Sequence, residues 1–296
     1  MPLVHPPSFL SSLTTLRIGG RAAAEFRLDS EAELDACGRR ISSFGLPVCV
    51  LGRGSNVLAR DGELPVMLVR PNLRGEPEIL EEEGAQVIVR AGASVRLPHL
   101  LARCSAWGLS GLEGLTGIPG TVGGAVAMNA GAYGCETVPL VHSLRIWSPN
   151  TGLKNIFPGQ WEFAYRYFRV TGSSVCCIIL SASFCLTRAS SNGIRESMRL
   201  NYFKKKSTHP VLAWSAGCAF KNPSTELAAG KLLDEAGFRG RRLGGMALSP
   251  MHANFLLNEG KGSARAAFEL LARARDAVRR RSGIDLNLEI KVLPCS

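Results

Sequence analysis

The spacing of hydrophobic and polar positions changes several times along the chain, and each change predicts an element. Over residues 263–282, Ala264, Ala267, Phe268, Leu271, Ala274 and Val278 recur at helical spacing and share one face. Ser263 stands where an N-cap belongs and Gly283 just past the C-terminus, so the spacing predicts a capped helix. From residue 284 the period drops to two. Ile284, Leu286, Leu288, Ile290 and Val292 alternate with Asp285, Asn287, Glu289 and Lys291, which predicts a strand. Glu289 and Lys291 then share a face, roughly 7 Å apart at strand rise. By alternation alone that face is a solvated one. Further helices are predicted at 196–206 and 225–236, the second stopped by Gly237. Short apolar runs at 48–51, 144–147, 175–180 and 183–186 read as strands.

Two glycine-dense segments interrupt this pattern. The apolar run at 48–51 enters Gly52-Arg53-Gly54-Ser55-Asn56, a strand followed by a turn able to present backbone N–H groups to a phosphate. The dinucleotide fingerprint of a doubly wound fold is absent, because Val57 stands where its third glycine would be. On its own this turn reads equally as a plain hairpin. The second segment runs Gly117-Ile118-Pro119-Gly120-Thr121-Val122-Gly123-Gly124-Ala125 and continues through Asn129 to Gly134. A floppy linker would be polar, whereas this one carries Ile, Val, Ala, Met and Tyr. Ordered glycines among apolar residues imply backbone pressed against a ligand.

Composition narrows the class. A chain of 296 residues suits two or three linked domains, and 46% hydrophobic with 20% charged residues is ordinary for a globular protein. Residues 1–20 lack the basic and apolar regions of a secretory signal, so a cytoplasmic location is expected. The uncharged stretch 114–135 holds seven glycines, Pro119 and Asn129, and 170–187 is rich in Ser, Thr, Val, Ile and Cys; neither reads as a membrane span. Nine cysteines at irregular spacing, without a Cys/His cluster, predict reduced thiols and no zinc or other metal site.

Charge is uneven. Residues 186–296 hold 19 basic and 9 acidic side chains, a net +10 of the chain's +11. This is either a solvated arginine face on the 263–282 helix or a domain that handles an anionic substrate. Aromatics do not interleave with the basic residues and no nucleic-acid module is present, so nucleic acid is not expected as a partner.

In order along the chain, Thr15-Leu16-Arg17-Ile18-Gly19-Gly20, Leu51-Gly52-Arg53-Gly54-Ser55-Asn56, residues 117–134, Tyr165-Arg166, Ala216-Gly217-Cys218-Ala219-Phe220-Lys221-Asn222-Pro223, Ala229-Gly230-Lys231-Leu232, His252-Ala253-Asn254-Phe255 and Glu289-Ile290-Lys291 resemble the UDP-N-acetylenolpyruvoylglucosamine reductase family, in its shorter form without an extra tyrosine loop. The resemblance runs from Thr15 to Leu293. It implies an α+β fold: a two-subdomain FAD-binding unit of the vanillyl-alcohol-oxidase type over 1–187, divided near residue 55, then an α+β substrate-binding domain over 188–296. It implies a monomer that uses FAD, with NADPH as co-substrate, to reduce the enolpyruvyl ether of UDP-N-acetylglucosamine to UDP-N-acetylmuramate.

Site residues follow from the same resemblance. Gly52, Arg53, Gly54, Ser55, Asn56, Gly117, Gly120, Thr121, Gly123, Gly124 and Ala125 are expected to hold FAD. Tyr165, Lys221, Asn222 and Lys291 are expected to bind substrate, and Arg166, Cys218 and Glu289 to act in catalysis. Arg166 and Glu289 would serve the substrate carboxylate. Cys218 stands where the family usually has a serine proton donor, and a thiol is the more acidic of the two. Phe168 replaces a usual serine, Lys204-Lys205 paired arginines, His209 a glutamine and Lys291 an arginine. Two other readings remain at this point: another FAD-dependent oxidoreductase on the same cofactor fold, and a basic binding protein without catalysis.

Overall fold

The computed structural model describes residues 7–73, 75–172 and 176–294. It divides into two compact units: one of Met1–Ala24, Gly54–Val66 and Lys205–Ser296, the other of Glu25–Arg53 and Met67–Lys204. The units interleave along the chain; the linear reading set divisions near residue 55 and between residues 187 and 188.

The second unit is built on an antiparallel sheet ordered Gly152–Ile156, Val141–Ser148, Ile178–Arg188, Gln86–Gly92 and Glu78–Glu83, with Leu109–Ser110 also pairing Ile178–Arg188. In Gln86–Gly92 the alternation is plain: Val87, Val89 and Ala91 enter the core. Ile178–Arg188 is buried along most of its length on both faces, which explains its small and apolar side chains. Glu81, Glu82 and Glu83 leave the edge strand charged and unattractive for pairing with another chain. The helix Leu97–Ala106 closes the core with Leu97, Leu100, Leu101 and Cys104 at three- and four-residue spacing. Phe184 is among the largest fully buried side chains, and its truncation to Ala is expected to cost about 3–5 kcal/mol. The short strand Val48–Val50 lies parallel to Met67, Leu68 and Val69.

The first unit carries a four-stranded antiparallel sheet ordered Ser215–Cys218, Phe255–Asn258, Met246–Leu248 and Arg242–Leu243. The helices Ala229–Glu235 and Ala264–Ser282 contribute Leu232, Leu233, Leu270 and Leu271 to its core. Both predicted caps of the longer helix are present. Ser263 Oγ accepts the Ala266 N–H, and Gly283 at φ 71° donates to the Arg279 carbonyl. Asp61 adds a distant cap by accepting the N–H groups of Ala264 and Arg265 at 3.1 and 3.0 Å.

Several boundaries differ from the sequence reading. The helix expected at 196–206 spans Ser191–Thr208, and the one expected at 225–236 spans only Ala229–Glu235. There Asn222 Oδ1 accepts the Ala229 N–H and supplies the helix start from outside the expected range. The strand expected over 284–292 is ladder only at Lys291–Leu293. Its earlier part runs beside residues 219–221 and then passes to Val57–Ala59, so two partners share one segment. Val175, where one strand was expected to begin, lies outside the described residues, and the strand there starts at Ile178. Among the described residues no helix is long and apolar enough to cross a membrane, and no group of three His, Cys, Asp or Glu is placed to hold a metal ion.

Candidate functional site

In the second unit a cleft is lined by Val50, Gly52, Ala93, Ser94, Thr121, Gly123, Gly124, Ala127, Cys177 and Ile179, with Pro71 at its wall. Most of this lining is backbone or small side chains, so main-chain polar groups reach the open space, while Val50, Ala127 and Ile179 give it an apolar wall. A dinucleotide with a flat ring system needs both kinds of surface, and the residues present fit FAD.

Four of the eleven expected cofactor residues therefore line one cleft: Gly52, Thr121, Gly123 and Gly124. Ala125 does not; its side chain is buried in the core of the unit. Gly54, Ser55 and Asn56 belong to the first unit, and Arg53 is the last residue of its segment in the second. Two of the glycines are also constrained by the chain itself. A Cβ at Gly54, whose φ is 62°, would stand 2.5 Å from the Leu13 carbonyl oxygen, and one at Gly123 would stand 2.8 Å from Ala93 Cβ. Packing within the chain thus requires both glycines, and Gly123 also lines the cleft. Gly124 is exposed, and a Cβ there would meet only Thr121 Oγ1, at 3.5 Å.

Arg166 is placed by a hairpin. Trp161–Ala164 pairs with Tyr167–Val170, leaving Tyr165-Arg166 as a two-residue turn in which Arg166 adopts φ 55°. A left-handed non-glycine residue costs on the order of 1–3 kcal/mol. Its guanidinium donates to the carbonyl oxygens of Gly131 at 2.9 Å and Asn129 at 3.4 Å, and lies 4.8 Å from the Tyr165 ring. Asn129 is the keystone of this corner. Fully buried, it donates to Glu136 and to the Ala164 carbonyl and accepts the Val138 N–H. The continuous run from Gly124 to Gly131 thus links the cleft wall to the arginine. Asn129 itself adopts φ 41°, the left-handed turn that an Asn among glycines signals. Phe168, where the family has serine, packs against Trp161 with ring centroids 6.3 Å apart.

In the first unit Cys218 ends the strand Ser215–Cys218, directly across from Phe255. One residue on, the Ala219 carbonyl accepts the N–H of Glu289 at 2.8 Å, and Lys221 N–H donates to the Asn287 carbonyl. Cys218 and Glu289 are therefore brought together, and Glu289 is 9% exposed rather than on a solvated face. Asn56 joins them: its carbonyl accepts the Lys291 N–H at 3.0 Å, and its Nδ2 donates to the Ala216 carbonyl at 3.3 Å. Asn56 Oδ1 is buried without a hydrogen-bond partner among the described residues. Thr15 Oγ1 donates to the Ser215 carbonyl at 2.6 Å, which gives the first motif of the chain a role behind the same strand. The Lys291 side chain is exposed, and Asn222 spends its Oδ1 on the helix start already described.

Beside this strand, His209 and His252 stack against the edge of Phe255. Burial, then the neighbouring His252 and Lys205, push the His209 imidazole down to about 4. Burial also lowers His252.

The description UDP-N-acetylenolpyruvoylglucosamine reductase, C-terminal domain, matches residues 209–293, and the description FAD binding domain matches residues 22–154. The UDP-N-acetylenolpyruvoylglucosamine reductase of Nitratidesulfovibrio vulgaris is 51% identical over 293 residues, covering 99% of both chains. That of Oleidesulfovibrio alaskensis is 47% identical over 295 residues with the same coverage. Among solved structures, the reductase of that name from Thermus caldophilus aligns with a TM-score of 0.83 at 31% identity over 99% of each chain.

Proposed function

The chain belongs to the UDP-N-acetylenolpyruvoylglucosamine reductase family, and on that premise we propose how its own residues divide the reaction. It is an FAD-dependent oxidoreductase that reduces the enolpyruvyl ether of UDP-N-acetylglucosamine to UDP-N-acetylmuramate, a step of peptidoglycan synthesis, with NADPH as co-substrate. When bound, FAD supplies the hydride that reaches the terminal carbon of the enolpyruvyl group.

In this reading Gly52, Thr121, Gly123 and Gly124 form the cofactor wall, with Arg53, Gly54, Ser55, Asn56, Gly117, Gly120 and Ala125 completing or supporting it. Hydride addition builds negative charge on the neighbouring carbon and its carboxylate. Arg166 and Glu289 serve that carboxylate, and a preorganised donor there is worth more than the same donor in water. Cys218 carries the proton for the carbon next to the ether oxygen, leaving as thiolate and regaining its proton from solvent. Tyr165, Lys221, Asn222 and Lys291 are assigned to the nucleotide sugar. A monomer working in the cytoplasm belongs to the same reading.

The observation that carries the assignment is the Glu289 N–H to Ala219 carbonyl bond, because it sets two residues some seventy positions apart side by side. The test is single-turnover reoxidation of reduced flavin by substrate in Cys218→Ala. Slow product formation, with flavin reduction by NADPH intact, supports the role; product at the parent rate removes it.

A further inference from the structure

Asn254 lies in the turn His252–Phe255 that leads into the strand opposite Cys218, and it is only 2% exposed. It makes three hydrogen bonds to two consecutive residues. Its carbonyl accepts the Ala219 N–H at 2.6 Å, its Oδ1 accepts the Phe220 N–H at 2.9 Å, and its Nδ2 donates to the Phe220 carbonyl at 2.8 Å. A carboxamide presents an acceptor and a donor side by side in one plane, the two kinds of group that a peptide unit offers. The Asn254 side chain therefore continues the ladder past the last paired strand residue, where the pairing of Ser215–Cys218 is already irregular. Ala219, held from this side, offers its own carbonyl to Glu289 N–H. One asparagine thus sets the backbone after Cys218 and, through Ala219, the backbone of Glu289. Leu there would leave two buried groups unpaired, Asp lacks the donor and Gln is one methylene longer.

We infer that Asn254 is a positioning residue for the reaction, holding Cys218 and Glu289 in the register that proton delivery requires. The inference rests on the proposed roles of those two residues. His252 supports the arrangement as a neutral ring, its Nδ1 accepting the Asn254 N–H at 3.3 Å.

The test uses the flavin-loaded enzyme and follows the two half-reactions separately. Asn254→Asp keeps the acceptor to Phe220 N–H but turns an ionised oxygen toward the Phe220 carbonyl. Reoxidation by substrate is expected to slow on the order of 10²-fold at neutral pH, the scale of a misplacement near 1 Å, while reduction by NADPH is unchanged. Protonation restores a donor, so this variant gains rate as pH falls below neutral, on the acid side of the alkaline limb that it shares with the parent through Cys218. The titratable and charged groups on the packed segments are Cys218, Lys221, His252, His209 and Lys205, Glu289, and Arg239 acting on His252. Both imidazoles are held below their ordinary value, so the parent lacks this acid-side gain from them. Should the aspartate variant fail to load flavin, Asn254→Ser reads the same half-reaction split without the pH arm. Equal slowing of both half-reactions, or of neither, overturns the inference. Cys218→Ala run in parallel separates the failures: if it is slow while the Asn254 variants are normal, only the positioning role falls. If Cys218→Ala itself is normal, the underlying reading falls.

Discussion

His209 and His252 lie ring to ring, with centroids 5.1 Å apart and planes tilted by 39°. Burial first, and then the neighbouring His252 and Lys205, oppose protonation of His209. The His209 imidazole is down at about 4 against an ordinary value of 6.5, so the unfolded chain binds the proton first. Stability from the neutral ring is complete above about pH 6.5 and is lost as pH falls toward 4. The loss from this group is expected to reach at most about 3 kcal/mol. Thermal unfolding followed from pH 7 to 4 reads it, and His209→Gln flattens that slope. An unchanged slope in the glutamine variant assigns the acid sensitivity elsewhere.

The glycines of the two loops are expected to separate by mechanism. Gly124→Val projects into the cleft with no backbone clash, so it lowers flavin content while the melting temperature stays close to that of the parent. Gly54→Val and Gly123→Val instead drive a branched side chain into Leu13–Thr14 and Ala93, and are expected to cost several kcal/mol of stability. Flavin absorbance and thermal melts on the same preparations decide it. Full flavin loading in Gly124→Val would remove that residue from the cofactor wall.

Arg166→Lys keeps the charge but loses the planar fork that reaches two carbonyl oxygens at once. Reoxidation by substrate is expected to lose about 2.7–4 kcal/mol of transition-state stabilisation, the scale of one removed donor. Flavin reduction by NADPH stays normal, since only the substrate step develops the carboxylate charge. Stopped-flow traces of the two half-reactions measure the split, and equal effects on both would assign Arg166 to the fold of the hairpin.

Cys218→Ser is expected to retain substantial activity, because a hydroxyl also donates a proton, and to lose an alkaline limb that the thiol imposes on the parent. Alkylation should inactivate the parent and substrate should protect it. Burial pushes Cys37, Cys104 and Cys176 up to about 12 and Cys177 to about 11, so these thiols label poorly near neutral pH. Mass spectrometry of the labelled peptides identifies the reacting cysteine. Inactivation without modification of Cys218 would shift the effect to another thiol.

The sequence alone determined whatever depends on neighbours in the chain. The caps and apolar face of Ala264–Ser282 were legible because one element buries that face at a fixed period. The order of short motifs was enough to identify the family and to make Arg166, Cys218 and Glu289 the residues proposed for the reaction. What tertiary structure alone decided was burial and partnership between distant segments. Alternation placed Glu289 on a solvated face, yet it is buried, because residues 284–293 serve the 219–221 segment first and Val57–Ala59 second. Gly54 and Gly123 are also required by packing, since a Cβ there would meet Leu13–Thr14 and Ala93, and that contact is visible only in the fold. Asn254 showed as one letter of a motif, and only the fold revealed that its amide stands in for a strand. A period records what a single element buries. It carries no record of which backbone, two hundred residues away, will present its unpaired groups.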